Sequence, residues 1–133
     1  MWQKILWSRE TNGTTYGGNP LVCTAVAKTL EIFEKERLTE HVKEIGAYLE
    51  ERLDELAASE DTVLERRGTG LIQGIRLTKP AGEVTARAME EGLVIITARS
   101  DVIRFVPPMV ITKEHVDEMI EKLKNHYRNP GRT

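Results

Sequence analysis

Two apolar stripes at helical spacing come first, then two pairs of short strand-like runs, each pair leading into another helical stripe; this order leaves the chain few architectures. The first stripe begins after Asn19, a good N-cap, and Pro20, which suits the first helical position. Leu21, Val22, Ala25, Val26, Leu30 and Phe33 continue it to about Glu36, and the apolar or small run Leu21 to Ala27 predicts burial on two sides. The second stripe takes Thr39 as N-cap and places Val42, Ile45, Leu49, Leu53 and Leu56 on one face. Val63 to Arg67 and Leu71 to Leu77 read as strands joined through Gly68-Thr69-Gly70 in an antiparallel pair. A break at Lys79 to Gly82 precedes a short helix, Glu83 to Glu91, closed by Gly92. Strands follow at Leu93 to Thr97 and Val102 to Val106, with Pro107-Pro108 stopping the second. The last helix starts from Thr112 and carries Val116, Met119, Ile120, Leu123 and Tyr127. The expected fold class is α+β, a small, largely antiparallel sheet covered by helices.

A chain of 133 residues has room for one domain with its own core. At 40% hydrophobic and 30% charged residues, its composition is that of a globular protein and not of a disordered, fibrous or membrane chain. A net charge of −2 supplies no overall field for nucleic acid or anionic lipid, so neither is an expected partner. The single cysteine, Cys23, excludes an intrachain disulfide and a cysteine-cluster zinc site, and makes a reducing cytoplasmic setting the expectation. Met1 to Glu10 lacks the apolar run of a signal peptide, yet it holds both tryptophans, Trp2 and Trp7, which predicts a covering partner.

Few side chains suggest chemistry. His41, His115 and His126 have no second ligand at metal spacing and read as solvated surface residues without a role. Cys23 sits among Val22, Ala25 and Val26 and reads as a small buried hydrophobe, not a nucleophile. The stretch Asn12 to Pro20 joins glycines, the hydroxyls of Thr14 and Thr15, and a helix start, the parts of an anion site; without a P-loop lysine or a preceding strand, its residues alone favour a flexible lead into a helix. Arg104 shares a strand face with Val102 and Val106, where alternation would otherwise be apolar. Its guanidinium is suited to grip a carboxylate with two hydrogen bonds, or it is a surface residue if that face is solvated.

Three segments carry more than their separate signals: Gly13-Thr14-Thr15-Tyr16-Gly17-Gly18-Asn19-Pro20-Leu21, Arg67-Gly68-Thr69-Gly70-Leu71-Ile72-Gln73-Gly74-Ile75, and Val102-Ile103-Arg104-Phe105-Val106-Pro107-Pro108. In this order and at these separations they resemble the C-terminal part of class-III pyridoxal-phosphate aminotransferases, especially the acetylornithine and ornithine aminotransferases. The resemblance implies residues 13–128 as the small C-terminal domain of a homodimeric enzyme, a leader at 1–12 outside the resemblance, and a tail at 129–133. It implies that Arg104 receives the substrate's α-carboxylate and that Thr15, with Thr14 beside it, contacts the cofactor phosphate across the dimer.

The implied partners are a large domain and a second subunit, an amino-acid substrate and 2-oxoglutarate, and the implied cofactor is pyridoxal 5'-phosphate. The lysine that holds that cofactor belongs to a large domain preceding these motifs, so the chain reads as a fragment that carries no aldimine and no activity alone. The alternative is a noncatalytic self-association or binding module derived from the same domain.

Overall fold

The computed structural model describes residues 15–128. Among them the elements run in the predicted order: α1 (Pro20–Lys35), α2 (Leu38–Ser59), β1 (Val63–Thr69), β2 (Ile72–Leu77), α3 (Ala81–Glu90), β3 (Ile96–Arg99), β4 (Val102–Phe105) and α4 (Lys113–Arg128). The chain divides between Arg37 and Leu38 into two compact units.

In the first unit α1 starts as the sequence predicts. Asn19 Oδ1 accepts the Val22 N–H at 3.0 Å, and Pro20 fills a position whose N–H would otherwise lack a partner. The expected burial is absent. No residue of α1 is buried, Leu21 is 80% and Leu30 60% exposed, and Cys23 is exposed where a buried thiol was expected. An apolar helix surface of this kind is stable only when something covers it.

The second unit is an α+β layer structure. α2 begins at Leu38, one residue ahead of the expected cap, after Arg37 adopts a left-handed φ of 49°. The sheet has strand order β1-β2-β4-β3, and its three strand pairs are all antiparallel. Its inner face presents Val63, Ile75, Leu77, Ile103 and Phe105 to the helices. Against them lie Ile45, Leu49, Leu53 and Leu56 of α2, Val84 and Ala88 of α3, and Val116, Ile120 and Leu123 of α4. These residues recur every three or four positions on the helices and every two on the strands, so each element contributes one apolar side to a single core.

Two boundaries differ from the sequence reading. The hairpin reverses at Gly70-Leu71, with Thr69 paired to Ile72, so that Gly68 and Thr69 belong to β1. β3 begins at Ile96 instead of Leu93, because Gly92 at φ 75° closes α3 and the Leu93 N–H donates back to Ala88 O at 2.8 Å.

Gly46 explains how α2 lies so close to that turn. A Cβ there would stand 2.7 Å from Gly70 Cα and 2.9 Å from its carbonyl carbon. Alanine gains about 1 kcal/mol of helix propensity over glycine. Overpacking against backbone costs typically 1–3 kcal/mol, and here there is no flexible side chain to yield. Gly46→Ala is therefore expected to lower the urea midpoint; a raised midpoint would show that the turn moves freely.

Candidate functional site

β4 alternates as a strand should, and of the two orientations left open for Arg104 it takes the solvated one. Ile103 and Phe105 are buried in the core, while Arg104 and Val106 are exposed on the sheet's outer face. Val102 shares that face and is half-buried. A charge on this face needs no internal partner, and among the described residues no carboxylate pairs with Arg104. β4 is an inner strand, so Arg104 has neighbours on both sides: Gly74 of β2 and Ile96 of β3. Gly74 has no side chain, so one flank of Arg104 is bare.

The same row continues to Arg67 of β1, which faces Gly74 from the far side. In the adjacent row Glu65 Oε1 lies 2.7 Å from Arg67 Nη2 and 2.8 Å from Arg76 Nε. Three guanidinium groups thus share this part of the outer face with one carboxylate.

Near the ends of β3 and β4 a groove of about 340 Å³ is lined by residues including Leu93, Ile96, Arg104, Val106, Pro108 and His115. One wall is the loop after β4, and two histidines hold it. His41 Nε2 donates to Ile111 O at 2.8 Å, and His115 Nδ1 accepts the Thr112 N–H at 3.1 Å, so one peptide group is held at its carbonyl and its amide. These roles give each ring its tautomer: a proton on Nε2 of His41 and a bare Nδ1 on His115. The solvated reading is corrected for His41, which is half-buried; His115 is exposed as expected, but it holds a helix cap where no role was assigned. The spacing Thr112 to His115, the N-cap to N3 separation of a capping box, was the available signal for one of them.

Behind the loop, polar contacts fasten α2 to α4. Tyr48 Oη and Arg52 Nε both donate to Asp117 Oδ1, at 2.8 and 3.0 Å. Lys113 Nζ meets Glu44 Oε1 at 2.7 Å and lies over the Tyr48 ring. The hydrogen bond to Asp117 pushes the Tyr48 phenol up, and Lys113 holds the Glu44 carboxyl down. At the start of α4, the Thr112 side chain lowers the Glu114 carboxyl. Inside the hairpin, buried Gln73 donates to Gly70 O at 2.8 Å and to Glu50 Oε1 at 3.1 Å, and accepts from Arg66 Nη1 at 3.1 Å. A buried amide with every group satisfied ties the turn to α2.

The second predicted site lies in the other unit. Thr15 is exposed ahead of a turn at Tyr16 to Asn19, in which Asn19 Nδ2 donates to Tyr16 O and Gly18 takes φ 77°. Asn19 occupies the Val22 N–H, and the hydroxyl of exposed Thr15 is one of the donors that this segment offers an anion. Thr14 lies outside the described residues, as do Trp2 and Trp7. Among the described residues no group of His, Cys, Asp or Glu could hold a metal ion, and no helix is long and apolar enough to cross a membrane.

Residues 4–126 match the family described as Aminotransferase class-III. That match starts inside the stretch 1–12, which the three motifs leave outside the resemblance. The chain is 40% identical over 119 residues to the ornithine aminotransferase of Bacillus subtilis, covering 90% of this chain and 29% of that protein. With the acetylornithine aminotransferase of Methanosarcina mazei it shares 36% identity over 120 residues, covering 90% of this chain and 30% of that one. Among solved structures, the acetylornithine aminotransferase from Elizabethkingia anophelis superposes with a TM-score of 0.81 at 26% identity, over 88% of this chain and 30% of its own. The chain therefore spans less than a third of the length of these relatives.

Proposed function

The chain belongs to the class-III aminotransferase family, and on that premise we propose that it is the part of a transaminase that grips the substrate's carboxylate through Arg104. Enzymes of this family depend on pyridoxal phosphate, which when bound supplies the carbonyl that takes up the amino group and the ring that accepts electrons. The observation that carries the reading is an exposed arginine on an inner strand, without a carboxylate partner among the described residues and flanked by Gly74. A guanidinium so placed can meet a carboxylate with two parallel N–H donors. It orients the substrate as well as holding it.

Thr15 fits a cofactor phosphate as one exposed hydroxyl donor, and we assign it that contact from across a subunit interface, with Thr14 beside it. We assign the cofactor ring and the reacting lysine to a large domain, because this chain covers 29% of the length of the Bacillus subtilis relative. The chain by itself is accordingly inactive in this reading. The names of the relatives point to ornithine or acetylornithine as amino donor, and 2-oxoglutarate is the acceptor we assign. A large domain and a second subunit would also cover the exposed apolar residues of α1, such as Leu21, Val26 and Leu30.

A chimera tests the proposal. The matching segment of the Bacillus subtilis ornithine aminotransferase is replaced by the corresponding residues of this chain. Turnover of ornithine or acetylornithine with 2-oxoglutarate is expected. A chimera that folds and retains pyridoxal phosphate but turns over neither donor would overturn the reading.

A further inference from the structure

The loop that leaves β4 forms one wall of the groove beside Arg104, and it has no regular structure of its own. Its backbone is tied locally at three points. The Ile111 N–H donates to Pro108 O at 3.2 Å, the Thr112 N–H to His115 Nδ1 at 3.1 Å, and the Val116 N–H to Thr112 O at 3.2 Å. Such bonds give the loop a shape but do not anchor it to the rest of the fold. His41 does so from α2, 70 residues away in sequence, with Nε2 donating to Ile111 O at 2.8 Å. His41 and Ile111 are both half-buried. A carbonyl stripped of this donor pays for its lost hydrogen bond unless the loop moves outward to water.

We propose that His41 is a positioning residue that, through Ile111, holds this loop as the wall against which the carbon chain of an Arg104-bound carboxylate lies. The inference rests on the reading of Arg104 given above and adds the residue that sets how closely that chain is contacted. Arg104 takes the acid end, while Val106, Pro108 and Ile111 offer the chain apolar surface in the same groove. Each methylene covered there favours binding, and a wall that recedes by even a fraction of its contact distance forfeits much of the gain. His41 is not among the described residues that line the groove. Its loss therefore leaves the grip on the acid intact and removes the preference for a longer chain.

The test uses the whole 133-residue chain, labelled with ¹⁵N, with backbone and arginine N–H resonances followed during titration with acetate or pentanoate. Pentanoate is expected to bind on the order of tenfold more tightly than acetate, from partial burial of its additional methylenes. His41→Leu should bring this ratio close to one and leave acetate affinity unchanged. His41→Asn, whose shorter amide falls short of Ile111, should do the same, and His41→Gln, whose amide reaches as far as the imidazole Nε2, should restore the ratio. Arg104→Gln should weaken both acids. A merely structural His41 would lower the urea midpoint on substitution without altering the ratio in the folded protein. A ratio near one in the unsubstituted chain, a ratio indifferent to His41→Leu and His41→Asn, or one that His41→Gln fails to restore would overturn the positioning role while leaving Arg104 as a carboxylate ligand. Acetate binding indifferent to Arg104→Gln would instead overturn the Arg104 reading, and the positioning role with it.

Discussion

Leu53→Ala is expected to destabilise the protein by about 2–5 kcal/mol, the cost of removing a fully enclosed leucine side chain and leaving a partly unrelaxed cavity. Leu53 is 0% exposed and belongs to the cluster in which α2 meets the sheet and α4. Against a total stability that for such domains is about 5–15 kcal/mol, this is a large fraction. The urea midpoint should fall by roughly 1–3 M at a usual denaturant slope. Leu30→Ala provides the contrast, because Leu30 is 60% exposed and its loss should change the midpoint by less than about 0.5 kcal/mol equivalent. If the two variants were equally destabilised, α1 would be packed in solution and the core would not be centred on α2.

Arg104→Lys in the chimera is expected to lower kcat/KM for the amino donor by about 10- to 150-fold, the loss of a charged hydrogen bond worth about 1.5–3 kcal/mol. Lysine keeps the charge and loses the planar fork, so the variant separates bidentate grip from simple attraction. Folding should barely change, because Arg104 is exposed and makes no ion pair among the described residues. Thr15→Ala should leave the donor kinetics intact at saturating pyridoxal phosphate and weaken them when the cofactor is limiting. Unchanged kinetics in Arg104→Lys would mark the residue as merely exposed.

Much of the fold was legible because it rests on periodicity. Leu49, Leu53 and Leu56 repeat at the interval of a helix, and Ile103 and Phe105 at that of a strand, and all five are buried. What escaped was pairwise. Gln73 reads as an ordinary polar residue of a strand, yet it is buried, because Gly70, Glu50 and Arg66 together satisfy its amide. His41 meets Ile111 across a separation of 70 residues, and no local pattern announces a contact of that range. The fit of Gly46 against Gly70 is likewise a meeting of two backbones far apart along the chain.

By itself the sequence determined the order and kind of the elements, the α+β class and the positions of the motifs. Each of these depends on neighbours a few residues away, through spacing, capping and turn chemistry. Only the tertiary structure decided which side of β4 faces the helices. Both sides of Val102 to Val106 are apolar enough for a core, and the alternation could not say whether Arg104 pointed in or out. Pairing β4 between β2 and β3 settled it, because Ile103 and Phe105 fill the helix side and leave Arg104 outward beside Gly74. The juxtaposition of Arg67 with Arg104 was decided in the same way. These two residues are distant in sequence and come into one row, on either side of Gly74, through strand register alone.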